Sequence, residues 1–171
     1  MKKAGQFIRC IGCGGLVPDL DGPTHPYIGA SPGCWRIFGE VLAKEFGEYR
    51  YPAVHRLTVD AYAASHPGVP SRRSIQSVAV HLIRLCASLE LHVPPEELNG
   101  LIRRAVLHAE KFVWLEPPGS IGDLTIVDVS RARSLPEHER LVRAWAESVW
   151  KAWGKHHDQV RRWAGFAGQA G

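Results

Sequence analysis

Cys10-Ile-Gly-Cys13-Gly-Gly can bring two thiolates to one metal ion. Two intervening residues let both sulfurs reach a common centre, and the following glycines let backbone amides turn toward them. Redox dithiols share this spacing but sit at a helix start in a strand–helix–strand unit, whereas this pair lies in glycine-rich chain. Cys34 offers a third thiolate three residues beyond Ser31, in the first turn of a predicted helix, where free amides and the helix dipole favour a negative sulfur. The donor set predicts zinc, and a closed tetrahedral site needs one more ligand. His25, in Gly22-Pro23-Thr24-His25-Pro26-Tyr27 between the cysteines, is the expected fourth; His55 is an alternative, as is an open site completed by water or a carboxylate. The plainer reading makes Cys10 and Cys13 free thiols and Cys34 a small buried hydrophobe. Cys86 falls on an apolar helix stripe and reads as core.

A second set of residues could do chemistry of its own. His55, Val59, Tyr62 and His66 share one helix face at spacings of four, three and four. His81 borders the stripe of the next helix, and His156, with His157 beside it, continues the buried edge of the last. Histidines converging from several helices are how helical enzymes build a metal site with an open position. The candidate catalytic residues are therefore His55, Asp60, Tyr62, His66, His81 and His156, with Asp60 to orient an imidazole and Tyr62 to donate a proton or bind an anion. Half-buried histidines bonded to neighbouring helices would produce the same pattern, with Arg56 and Asp60 as a surface pair and His108 and His138 on exposed helix faces.

Arg72 and Arg73, between Ser71 and Ser74 at a helix start, form a candidate anion site or simply a solvated helix start. Trp145, Trp150, Trp153 and Trp163, interleaved with Arg143, Lys151, Arg161 and Arg162, would stack on nucleic-acid bases if exposed. Their spacing assigns Trp145 and Trp163 to core and leaves Trp150 and Trp153 to a pocket or an interface. No serine beside a base, no phosphate loop and no pair of carboxylates at catalytic spacing is evident.

These residues need helices to position them. Residues 1–33 are rich in glycine and proline and read as a structured, zinc-binding loop; 34–171 read as a helical bundle, the whole chain 1–171 forming one mainly α domain of about five helices. The first helix starts at Ser31-Pro32, with serine as cap, carries Trp35, Phe38, Leu42 and Phe46, and stops at Gly47. A second spans 53–65, ended by His66-Pro67-Gly68. Ser71 caps a third, with Ile75, Val78, Leu82, Leu85 and Leu89 as its stripe. Pro94-Pro95 opens a fourth, carrying Leu98, Leu101, Ile102, Ala105 and Phe112. Thr125 with Asp128 caps a short helix over 124–129. Ser134 with Glu137 opens a long last helix, from Leu141 through Trp145 and Val149 to Val160 and Trp163.

Composition sets the outer bounds. The 171 residues are 45% hydrophobic and 22% charged, ordinary for a globular domain with its own core. A charge of +4 is compatible with an anionic small molecule or nucleic acid as partner but argues for neither, and a homo-oligomer stays open. No apolar run is long enough to cross a bilayer, and Met1-Lys2-Lys3 is not followed by the apolar stretch of a signal peptide, so a cytoplasmic protein is expected. In that reducing compartment four cysteines point to metal or chemistry rather than disulfides.

Cys-x-x-Cys-Gly at 10–14, Gly-Pro-Thr-His-Pro-Tyr at 22–27, Ser-Pro-Gly-Cys-Trp at 31–35, His-Arg-Leu-Thr-Val-Asp-Ala-Tyr at 55–62 and His-Pro-Gly at 66–68 together resemble an uncharacterised bacterial family of unknown function. The stretches from Gln76 to Leu82 and from Trp145 to Trp153 are similar to it as well, so the resemblance spans nearly the whole chain. It implies a bacterial source and a single-domain unit, and carries no activity. Ser65 departs from the pattern, which has glutamine before His-Pro-Gly. The expected role is a zinc-binding helical protein whose metal is mainly structural. The alternatives are a metal-dependent hydrolase or transferase with a histidine-lined pocket, and a binding module for an anionic ligand or nucleic acid.

Overall fold

A short antiparallel hairpin and seven α-helices make up residues 5–166, the part of the chain described by the computed structural model. The glycine-rich N-terminal segment, expected as loop, is organised by the hairpin. β1 (Phe7–Arg9) pairs with β2 (Leu16–Pro18), Ile8 opposite Val17. The turn between them closes because the Cys10 N–H donates to the Gly15 carbonyl at 2.8 Å and the Gly14 N–H to the Cys10 carbonyl at 3.0 Å. Gly14, at φ +73°, supplies the left-handed residue this turn requires.

α1 (Pro32–Phe46) starts where the Ser-Pro pair predicts. Ser31 nevertheless does not cap it with its side chain. Its hydroxyl oxygen accepts the Ile11 N–H at 3.0 Å, which ties the hairpin turn to the helix start. α2 (His55–Ala64) and α3 (Arg72–Leu85) follow, and the Ser71 hydroxyl accepts the Ser74 N–H at 3.0 Å as a true cap. α3 widens into a π-helical turn, Cys86–Glu90, closed by the Leu91 N–H on the Cys86 carbonyl. α4 (Pro95–Val106) ends before Phe112, which lies past a 3-10 turn at Ala109–Lys111. α5 (Ile126–Ser130) carries the predicted Thr125–Asp128 capping box.

The last helix is two helices, which is one reason the count is seven rather than about five. α6 (Leu135–Ala152) and α7 (His157–Phe166) are separated at Trp153-Gly154 by a 3-10 turn. Glycine is a poor helix former, and the break is fixed by side chains on either side of it. The Trp153 indole N–H donates to the Ala64 carbonyl at 3.1 Å, and His157 Nε2–H donates to the Trp150 carbonyl at 2.8 Å, satisfying an end carbonyl of α6. The His157 ring stacks on Trp150 at 3.8 Å.

α2 packs on α3 and α6, α1 on α5, and α7 on α3 and α4. One core cluster runs from Cys10 to Ala164. Trp145 and Trp163 are buried as their spacing predicts, and Trp150 and Trp153, left open by the sequence, are buried too; these four rings are core rather than stacking faces. Cys86 is core as well, and burial pushes its thiol up to about 11.

Where α1, α2 and α6 meet, Glu45 is fully buried with both carboxylate oxygens engaged. Oε2 accepts from His55 Nδ1–H at 2.7 Å, while Oε1 accepts from His138 Nε2–H at 2.7 Å and from the Thr58 hydroxyl at 2.6 Å. His138, expected on an exposed helix face, is thus an interior residue. Burial alone would raise the Glu45 carboxyl; the bonds from His138, Thr58 and His55 outweigh it and hold the group below its ordinary 4.5. A carboxylate whose folded value is lowered stabilises the fold at pH values above its unfolded one and loses that contribution as pH falls through the folded value. The Glu45 contribution to thermal stability is therefore expected to be flat from neutral pH to about 5 and to fall away below about 4.5. In a Glu45→Gln protein, the part of that acid drop due to this group should vanish. A melting series against pH for both proteins checks this, and identical acid slopes would remove Glu45 as the cause.

Candidate metal centre

The hairpin turn, the start of α1 and the residue just past α2 converge on one point. Cys10 and Cys13 come from the turn, Cys34 from the first turn of α1, and His66 from the exit of α2. One ligand atom from each lies within 4.8 Å of all the others, so the four could hold a metal ion. Cys10, Cys34 and His66 are buried, and Cys13 is half-buried.

Two separations within the group are close to those of tetrahedral coordination. Metal–sulfur bonds of about 2.3 Å at the tetrahedral angle put sulfurs about 3.8 Å apart and sulfur and imidazole nitrogen about 3.6 Å apart. Cys13 Sγ and Cys34 Sγ are separated by 3.9 Å, and Cys34 Sγ and His66 Nε2 by 3.3 Å. His66 is oriented by its other nitrogen: Nδ1–H donates to the Tyr62 carbonyl at 2.6 Å, which leaves the Nε2 lone pair facing the sulfurs. Two further donors meet the thiolates, the Ser31 N–H on Cys10 Sγ at 3.4 Å and the Tyr62 hydroxyl on Cys34 Sγ at 3.5 Å.

Three sulfurs this close cannot all carry charge without a cation between them. Hydrogen bonds from Cys13 and then Cys34 pull the Cys10 thiol far below the usual range, whereas hydrogen bonding to Cys10 and Cys13, with burial, pushes Cys34 far above it. Burial opposes a charged His66, and its bonds to Cys10 and Cys13 prevail, raising it to about 9. Burial, then the neighbouring Cys34, raises the Tyr62 hydroxyl, so it stays a protonated donor.

Glycines let the chain close around the group. A methyl on Gly12 would run into the Gly29 carbonyl and come within 2.5 Å of the His66 ring. Gly29 and Gly68 touch backbone to backbone, so that a Cβ on Gly29 would sit 2.7 Å from the Gly68 Cα, and the Gly29 N–H donates to the His66 carbonyl at 3.0 Å. These contacts lock the exit of α2 against the segment leading into α1.

His66 takes the position expected for His25. His25 instead packs edge-on to Tyr27, ring centres 4.2 Å apart, and lies near Trp35, outside the four-residue group. Nearness in sequence favoured His25. The signal for His66 was its place one turn after Tyr62 at a Pro-Gly helix stop, which aims its ring back along the helix. His55 belongs to the Glu45 cluster and not to the metal group.

The remaining candidates do not form one site. His156 Nε2–H donates to the Glu116 carbonyl at 2.8 Å, away from the other histidines. Arg72 donates to the Ala109 carbonyl at 2.7 Å. Asp60 and His81 do meet: His81 Nδ1–H donates to Asp60 Oδ1 at 2.8 Å, so Asp60 is not the partner of Arg56 that a surface pair would require. Arg73, Tyr62 and His81 line a common cavity. Among the described residues no helix is long and apolar enough to cross a membrane.

No curated protein and no solved structure matches the chain. The profile of a family of unknown function (DUF5946) matches residues 8–154, a stretch that holds all four candidate ligands, and the chain belongs to that family.

Proposed function

We propose that this protein binds one zinc ion through Cys10, Cys13, Cys34 and His66, and that the ion is a structural tie rather than a catalyst. The observation that carries the reading is the convergence of the four ligand atoms within 4.8 Å of one another from three separate elements. Three thiolates and an imidazole suit zinc, and four protein donors fill a tetrahedral shell, leaving no position for water or substrate. Bound there, the ion supplies the positive charge that lets adjacent thiolates coexist and fastens the hairpin to α1 and α2. A thiolate site is maintained where thiols stay reduced, which supports a cytoplasmic setting. A hydrolytic metal enzyme built on the histidine set has less support, because His55 and His156 bond to Glu45 and to the Glu116 carbonyl.

Elemental analysis of protein purified without added metal is expected to return one zinc per chain. Stripping it with a strong chelator should lower the melting temperature, and re-addition should restore it. Protein that carries no metal as isolated, and gains neither metal nor stability when zinc is supplied, would overturn the reading.

A further inference from the structure

A cavity of about 570 Å³, the size of a small-molecule site, opens between residues 25–28 and helices α1, α2 and α3. None of the four metal-group residues lines it. Its walls differ in character. Arg73, Gln76, Ser77 and His81 give the cavity a polar side along α3, with Arg73 one turn before the Gln76–Ser77 pair and His81 one turn after it. The lining also includes the rings of half-buried Tyr27 and Trp35, backed by the buried rings of Phe38 and Tyr62. These rings are held by one another, with Phe38 stacked on Tyr62 at 3.8 Å and Trp35 tilted against Tyr62 at 5.9 Å.

Two polar side chains of the lining keep bonding capacity to spare, although His81 also borders a smaller pocket with Arg56, Asp60 and Arg84. Arg73 is exposed and has neither a hydrogen bond nor an ion pair to any described residue. His81 stands eight residues further along the helix, about 12 Å away along its axis. Asp60, 2% exposed, takes the His81 Nδ1–H and so fixes the ring, leaving Nε2 as an acceptor without a partner among the described residues. The second Asp60 oxygen, Oδ2, is itself buried without a partner, so this carboxylate is committed to the imidazole alone. Such a pairing is costly to bury for packing's sake.

We propose that this cavity binds an elongated, planar hydroxyaryl carboxylate. Arg73 takes the carboxylate in a two-pronged pair, the aromatic wall takes the flat ring system, and His81 Nε2 accepts the hydroxyl proton in a hydrogen bond at the far end. A carboxylate fits better than a phosphate, because the Ser74 N–H at the helix start is already taken by Ser71 and only one free guanidinium serves the site. Asp60 is a positioning residue that acts through His81.

The test uses the full chain and 6-hydroxy-2-naphthoate as probe, titrated by calorimetry. One molecule is expected to bind per chain, at least about tenfold more weakly in Arg73→Ala, whose exposed position keeps folding out of the question. 2-Naphthoate, lacking the hydroxyl, and the methyl ester of the probe, lacking the charge, should each bind several-fold more weakly to the parent protein. Ser77→Trp, which fills the cavity from its half-exposed wall, should abolish binding with circular dichroism unchanged. No binding up to millimolar probe would overturn the proposal, as would equal affinity in Arg73→Ala or undiminished binding in Ser77→Trp. Zinc content measured on the same samples keeps this result separate from the fate of the metal centre.

Discussion

Cys34→Ala protein is expected to purify without stoichiometric metal and to melt far below its parent. Cys34 is fully buried at the first turn of α1, 3.9 Å from Cys13 Sγ and 3.3 Å from His66 Nε2, with the Tyr62 hydroxyl on its sulfur. Without it the shell has three donors from the hairpin and α2 and none from α1, so the ion no longer ties the first helix to the rest. Structural zinc sites contribute about 10 kcal/mol or more to small metal-dependent domains. Here the helices retain a large apolar core of their own, so a loss of several kcal/mol is expected, with helical dichroism kept and the hairpin released. Melting curves, metal analysis and the reactivity of Cys10 and Cys13 toward a thiol reagent measure this together. Cys86→Ala is the control: its sulfur packs in α3 and the π turn, away from the ligands, and its removal should leave metal content untouched. If Cys34→Ala kept both its metal and its melting temperature, the tetrahedral group would not be the site.

Glu45→Ala should be nearly as damaging, for a different reason. The substitution strips the acceptor from His55, His138 and Thr58 at once and leaves three polar groups with a cavity between them. Removing one side of a buried charge-assisted network costs about 3–5 kcal/mol, which is roughly a fifth or more of the stability of an ordinary domain. Denaturant titration should show the midpoint falling with metal content unchanged, since none of these residues is among the four ligands. A midpoint shift below about 1 kcal/mol would mean that water replaces the carboxylate without penalty.

The parts of this molecule that could be read from sequence are those specified within one or two helical turns. The caps at Ser71 and at Thr125 with Asp128 start helices where their spacing predicts, because a cap satisfies amides only two or three residues away. The Cys10–Cys13 turn is equally local, and Cys34 stood out through its place at a helix start. What escaped depends on distant partners. His66 meets the cysteines because Gly29 and Gly68 let two remote segments touch, and the Pro-Gly stop beside His66 does not say which segment it will meet. His138 read as a residue on an exposed helix face; it is interior because it meets Glu45, 93 residues away in the chain. Ser31 has the residue type of a cap, but its hydroxyl serves the Ile11 amide instead. The break at Trp153-Gly154 was hidden by an apolar stripe that continues in α7, and the bonds of the Trp153 indole to the Ala64 carbonyl and of His157 to the Trp150 carbonyl show why the chain turns there.

The order of the ligands along the chain has a consequence for biosynthesis. Cys10, Cys13, Cys34 and His66 all precede α3, so the complete donor set is synthesised, and leaves the ribosome, ahead of the five later helices. An ion bound as proposed would not have to wait for the finished polypeptide. An N-terminal unit clasped early would protect its thiols from oxidation and mispairing during the remainder of translation, and the later helices would then close over an anchor already in place.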